Sequence, residues 1–232
     1  MQLGLRYEFV GNKGISKTTN ITTENSDGQF FPLAYISFKL NSSNQFSLNY
    51  SKRIDRSNFR ALNPFFWYSN PNSYSTGNPE LQATYNHNFE LNYIYKGKFS
   101  ANYYYEKSID NDAQISFLDG INMVSSTFNY YNRNNYGLDL NYSDTFFKFW
   151  ESNVSTSFSY SNSKTTNFNA TTQNGNSFYY SSTNTFQLNK DKTVFLFLNY
   201  WQSIPSKSGN GISKRSSSLS TGMKLSFLDN AL

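Results

Sequence analysis

One imidazole, no thiol and one small cluster of carboxylates set what chemistry this 232-residue chain can attempt. His87 stands between Asn86 and Asn88 near a predicted strand start, with no second His to share a metal ion. Its alternative is an ordinary solvated or interfacial side chain. The absence of Cys removes disulfide scaffolds, zinc fingers and thiol catalysis together. Asp110, Asp112 and Asp119, with Asn111, offer the oxygen ligands that calcium takes, but without EF-hand spacing, and turn formation is their plainer role. Catalysis needs convergent titratable groups. The sequence supplies none, so neither an enzyme nor a bound metal or cofactor is expected.

Binding is better served. Residues 54–81 hold Arg56, Asn63, Phe65, Phe66, Trp67, Tyr68, Asn70, Tyr74 and Asn78, a set able to stack on ligand rings while donating amide hydrogen bonds. The competing reading is that these rings pack the segment against itself, with Pro64, Pro71, Gly77 and Pro79 shaping its turns. A loop of that length needs an internal core to be ordered at all.

The elements that must carry such a loop follow from periodicity. Leu3, Leu5, Tyr7 and Phe9 alternate with polar residues, as do Ala34, Ile36, Phe38 and Leu40, then Phe46, Leu48 and Tyr50. The pattern returns at Phe89, Leu91, Tyr93 and Tyr95, at Leu138, Leu140 and Tyr142, at Val154, Thr156, Phe158 and Tyr160, and at Leu219, Thr221, Met223 and Leu225. Period two throughout means strands, and the helical spacing is never sustained. Residues 193–201 are apolar on both faces and fit the alternation least well.

Connections come in two kinds that take turns along the chain. Short ones fall near 41–44, 96–98, 143–148, 190–192 and 228–230, and long ones near 11–30, 54–81, 108–120, 165–175 and 203–213. Antiparallel neighbours place these at opposite ends, so the sheet has a plain end and a decorated end. About ten strands of roughly 9 to 15 residues result, longer than soluble strands and long enough to cross an outer membrane on a tilt. Tight turns, long loops and alternating faces together predict an all-β, antiparallel, up-and-down transmembrane β-barrel domain over residues 1–232.

Charge and composition agree with that class. Only 15% of residues are charged and the mean hydropathy is −0.65, yet 19% are aromatic, which excludes a charge-rich disordered chain. The longest apolar run, Val194 to Leu198, is far too short for a membrane helix. Tyr50, Tyr93, Tyr95, Tyr142, Tyr160 and Tyr200 gather near strand ends, where amphipathic rings sit at headgroup level; ordinary β-propensity is the alternative. The net charge of +5 is spread over turns and loops without a basic stripe, so nucleic acid is not an expected partner. Those loop cations could instead touch lipid phosphates, or serve solubility alone. The first residues lack a signal peptide's basic and apolar regions, which reads as either a cytoplasmic protein or a piece of a longer chain.

The stretch Leu48-Asn49-Tyr50-Ser51-Lys52-Arg53, followed by Leu62-Asn63-Pro64-Phe65 and then Gly77-Asn78-Pro79-Glu80-Leu81, resembles the outer-membrane β-barrel region of TonB-dependent receptors. Echoes occur at Gly4-Leu5-Arg6-Tyr7-Glu8, at Tyr136-Gly137-Leu138-Asp139-Leu140-Asn141-Tyr142 and at Lys224-Leu225-Ser226-Phe227-Leu228-Asp229-Asn230. The resemblance implies part of a larger barrel, of 22 strands in such receptors, here without the plug and the final strands. It implies energised uptake of a scarce ligand, a siderophore, peptide or oligosaccharide, with TonB engaged only through N-terminal parts absent from this sequence. By analogy the tight turns face the periplasm and the long loops the outside. Outer-membrane lipid and a nutrient ligand are the expected partners. A passive structural barrel and a soluble extracellular all-β binding module are the alternatives.

Overall fold

The computed structural model describes residues 1–16, 21–165, 174–208 and 211–226. Ten strands form one continuous antiparallel path: β1 (Gln2–Ser16), β2 (Ile21–Lys39), β3 (Asn44–Asp55), β6 (Thr84–Tyr95), β7 (Phe99–Asp119), β8 (Asn122–Phe146), β9 (Trp150–Thr165), β10 (Gly175–Gln187), β11 (Val194–Ser203) and β14 (Ser216–Leu225). Each pairs with its neighbour in sequence along this path, the up-and-down order read from the alternating connections. The short strands β4 (Phe66–Asn70) and β5 (Ser73–Thr76) and the single helical turn α1 (Phe59–Leu62) lie in the 54–81 segment. Strands β12 (Ser206–Ser208) and β13 (Gly211–Ser213) form a small separate hairpin. Among the described residues, β1 and β14 are each paired on one side only, so the wall is an open sheet.

Register puts the predicted apolar sets on one face. Ile36 lies opposite Leu48, Leu48 opposite Leu91, Leu91 opposite Tyr103, Tyr103 opposite Leu138, Leu138 opposite Phe158 and Phe158 opposite Phe178. Residues two apart on a strand share a face, so this row extends into a whole apolar surface. Among the described residues no second layer covers it. Leu5 is 69% exposed, Leu48 48%, Phe158 46% and Leu219 67%, values that a soluble sandwich would not leave on its core side.

The opposite face is a polar wall. Asn49 donates to Glu90 at 3.4 Å, Ser155 to Asn141 at 2.6 Å and Ser157 to Asp139 at 2.6 Å, while Arg133 pairs with Glu106 at 3.6 Å. Short hydroxyls and amides let neighbouring strands satisfy one another sideways, which explains why so little charge is needed on a hydrophilic surface. β11 is the exception: Phe195 and Phe197 lie on this face, as its doubly apolar sequence implies, and it is a strand nonetheless.

The ring of Tyr104 lies flat across Gly137, its cross-strand partner, and occupies the space a Cβ would need. Gly137→Ala should therefore displace the ring and cost about 1 kcal/mol, an overpacking penalty partly offset by the lower chain entropy of Ala. A urea titration of the refolded protein measures it. In a Tyr104→Ala background the same substitution should become neutral or stabilising; an unchanged penalty there would show that the ring is not its cause.

Two of the tight turns use paired residues with positive φ, the twist that suits two-residue hairpins. Lys96 and Gly97 (φ 50° and 67°) close β6 onto β7, and Phe147 and Lys148 (50° and 64°) close β8 onto β9. Residues 143–146 thus belong to β8, and the turn predicted at 143–148 is confined to its last part and residue 149. Lys98 pairs with Asp144 at 2.7 Å across the two hairpins, and that hydrogen bond raises the Lys98 amine above its ordinary pKa.

Two predicted loops are strands over their described residues, 17–20 lying outside those. β1 and β2 stay in register out to Ser16 opposite Ile21, and β7 and β8 run on to Asp119 opposite Asn122 around a turn at Gly120 (φ 62°). The paired backbones sustain these extensions without apolar alternation, because away from lipid both faces are wet. Asp112 and Asp119 therefore sit on a paired strand, not in an open loop, while Asp110 occupies an irregularity with φ 58°. Residues 166–173 of the predicted 165–175 loop, and the predicted turn at 228–230, lie outside the described residues.

Candidate functional site

The 54–81 segment is the most elaborate part of the decorated end, and its order begins with three asparagines. Asn58 caps α1 by accepting from the Ala61 N–H at 3.0 Å. Asn63 ends the turn, donating its N–H to the Phe59 carbonyl at 2.9 Å and accepting from the Phe65 N–H at 3.3 Å. Asn70 accepts from Asn72 N–H at 2.9 Å and shapes the turn from β4 to β5.

The Gly77-Asn78 pair then fastens the segment to that turn. Gly77 N–H donates to the Asn63 carbonyl at 3.0 Å and Asn78 N–H to the Ala61 carbonyl at 2.6 Å. The Asn78 side chain donates to the Thr127 carbonyl at 3.1 Å and accepts from Glu80 N–H at 3.0 Å. Parallel pairing of β5 with β8, from Ser73 opposite Met123 to Thr76 opposite Ser126, and the buried Leu81 complete the attachment. This segment is a folded subassembly on the barrel wall.

Its rings divide by strand alternation. Phe66, Tyr68 and Tyr74 form one cluster, Tyr74 lying edge-on to Phe66 at 5.0 Å and tilted against Tyr68 at 5.3 Å. Phe65 and Trp67 form another at 5.3 Å, with the Arg60 guanidinium 5.3 Å over the Trp67 ring. Phe65 remains 60% exposed and Tyr68 65%. The rings pack on one another, and Phe65 and Tyr68 keep exposed surface.

Arg56 belongs to neither cluster. It pairs with Glu8 of β1 at 2.9 Å and lines a polar cleft of about 230 Å³ with Asp55, Ser57, Asn58, Ala61, Thr84 and Asp112. Ser57 donates to Asp112 at 3.0 Å across this cleft. Glu8 and Thr84 are thus site neighbours that the local sequence pattern does not single out, and Asp112, noted only for its carboxylate, joins them here, since β1, β6 and β7 bring the three in from afar. Asn63, Asn70 and Asn78 use their side-chain oxygens on backbone N–H groups and serve chiefly as the frame. Among the described residues no group of three His, Asp or Glu side chains is placed to hold a metal ion.

A wall that is oily outside, polar inside, tightly turned at one end and decorated at the other defines an outer-membrane β-barrel protein. The whole chain, residues 1–232, matches the outer membrane protein beta-barrel family, and it belongs to that family. It lies in the cell outer membrane. The fold is similar to that in the crystal structure of the siderophore receptor PirA from Pseudomonas aeruginosa, with a TM-score of 0.62 at 15% identity. The likeness covers 98% of this chain and 43% of the receptor, so the chain spans less than half of that protein's length. No match is found among curated proteins. The fold resemblance drawn from the Tyr-Ser, Asn-Pro and Gly-Asn-Pro motifs is therefore borne out, and the reading as a soluble module is set aside.

Proposed function

We propose that this chain is part of a receptor-type barrel that captures a scarce ligand outside the cell, a ferric siderophore, a peptide or an oligosaccharide, and passes it inward with energy coupled through TonB and a plug domain. No reaction is placed on it. The long loops face outward and the tight turns face the periplasm. The observation that carries the reading is the 54–81 segment: a rigid frame holding Phe65, Phe66 and Tyr68 with their ring faces open. Pre-ordered aromatic rings bind without a large ordering cost.

Uptake by cells lacking and regaining the full-length protein tests it, with a ferric catecholate, a malto-oligosaccharide and a short peptide as probes. One probe should depend on the protein, and Phe66→Ala/Tyr68→Ala should lower its uptake at least tenfold at equal barrel abundance. Dependence on no probe, or full uptake by the variant, would overturn the assignment. The internal use of Asn63, Asn70 and Asn78 favours a second reading, a passive structural barrel. That reading expects any uptake to survive dissipation of the proton gradient.

A further inference from the structure

Lipid accounts for only one side of the doubly apolar strand β11. Leu196, opposite Phe186 and Met223, shares the outward face with Leu198 and Tyr200. Phe195, Phe197 and Trp201 face the other way, onto the wet wall, where no apolar solvent demands them. Tyr179 of β10 joins them there, its ring stacked against that of Trp201 with centroids 6.3 Å apart and planes 25° from parallel. Both rings remain exposed. At the same level on the lipid side, Tyr180 and Tyr200 lie 6.2 Å apart, where headgroups explain amphipathic rings. The inward rings start two residues from the loop end of β11 and continue six residues along it to Phe195, roughly 20 Å of strand.

The wall around these rings is hydroxylic and uncharged. On this face β9 from Ser155 to Ser163, β10 from Ser177 to Thr183, β11 from Phe197 to Ser203 and β14 from Ser216 to Gly222 carry no ionisable side chain. Trp201 lies between Ser181 and Ser218 in register, and Tyr179 between Ser157 and Ser203. Nearer the loops, Ser159 and Ser177 share a hydrogen bond at 2.6 Å. The acid nearest in register is Asp139, which accepts from Ser157 at 2.6 Å. Gly222, opposite Phe197, sets no side chain beside that ring. The strand ladder fixes the spacing of rings and hydroxyls alike, so little order must be imposed when something binds them.

We infer that Tyr179, Trp201 and Phe197 form a binding track for a neutral oligosaccharide on the inner wall, reached from the loop end. A pyranose has an apolar C–H face that covers an aromatic ring and a rim of hydroxyls that exchange hydrogen bonds with Ser and Asn. Both halves of that chemistry stand side by side here. An anionic ferric siderophore would find no cation on this face and would approach Asp139; the terminal carboxylate of a peptide would fare the same. The inference rests on the receptor reading above and narrows its ligand class, and its readout is binding, not uptake.

Isothermal titration calorimetry of the full-length protein in detergent tests it, with maltohexaose, cellohexaose and an acidic galacturonate hexamer as separate probes. At least one neutral hexamer should bind, and the acidic one should bind at least tenfold more weakly. Tyr179→Ala/Trp201→Ala should weaken the neutral hexamer at least tenfold, whereas Tyr180→Ala/Tyr200→Ala, at the same level on the lipid side, should not. Heat-modifiable gel mobility checks that both variants are folded barrels. Binding of neither neutral hexamer, equal binding of the acidic one, or equal loss in the lipid-side variant would each overturn the site. So would unchanged affinity in the inward variant, the result expected if another part of the chain covers these rings. Uptake of a ferric catecholate or a peptide without sugar binding would remove this ligand class and leave the receptor reading standing; sugar binding without any uptake would do the reverse.

Discussion

Replacing Gly77 with Ala should unfasten the 54–81 segment while leaving the barrel wall intact. A Cβ at this position would meet the backbone oxygens of Arg60 and Ala61 at 2.7 Å each, and that of Asn63 closer still. Backbone oxygens cannot swing aside as a side chain can, because α1 and its caps hold all three. Moving Gly77 away instead breaks its bond to Asn63 and that of Asn78 to Ala61. Overpacking against a fixed backbone costs about 3 kcal/mol, which raises the open population of the segment roughly 100-fold. Hydrogen exchange of the full-length protein should show faster amides at residues 61–63 and 77–78, with the β6–β7 ladder unchanged. Gly11→Ala, where nothing lies within 4 Å, is the control and should alter neither. Equal protection of the segment in the Gly77→Ala protein would mean that these contacts do not hold it.

How far the sequence revealed this arrangement depends on where lipid is. Along the wall an apolar solvent demands apolar side chains on alternate residues, so Leu48, Leu91, Leu138 and Phe158 declare their face without coordinates. Past the lipid that demand stops. Residues 11–16 and 111–119 are paired in long hairpins, but water on both faces erases the alternation that would announce them. In the 54–81 segment the rings and the Gly-Asn-Pro motif are visible, whereas the division of labour is not. Asn63 and Asn78 look like ligand amides until their bonds to Phe65 and Thr127 are seen. Arg56–Glu8 and Ser57–Asp112 join residues 48 and 55 positions apart, and only the strand register could predict such meetings.

The two faces of β8 and β9 should respond oppositely to a new cation. Leu138 stands on the apolar face between the rings of Tyr136 and Tyr142, opposite Phe158. An Arg there must either strip its guanidinium of water among acyl chains or drag water into them, at about 2 to 4 kcal/mol. That is a loss of roughly 30- to 700-fold in the folding equilibrium. Ser157, next along β9 from Phe158, faces the other way and donates to Asp139 on a wall that also carries Glu90 and Glu106. A Lys at 157 keeps its water and gains an acidic neighbour, so Ser157→Lys should change stability by less than about 1 kcal/mol. Urea titrations of the full-length protein refolded into lipid vesicles measure both, and loss of heat-modifiable gel mobility reports the Leu138→Arg defect independently. The contrast depends only on which side of the wall meets lipid. Equal tolerance at the two positions, or greater damage from Ser157→Lys, would mean that the apolar face is turned away from the membrane.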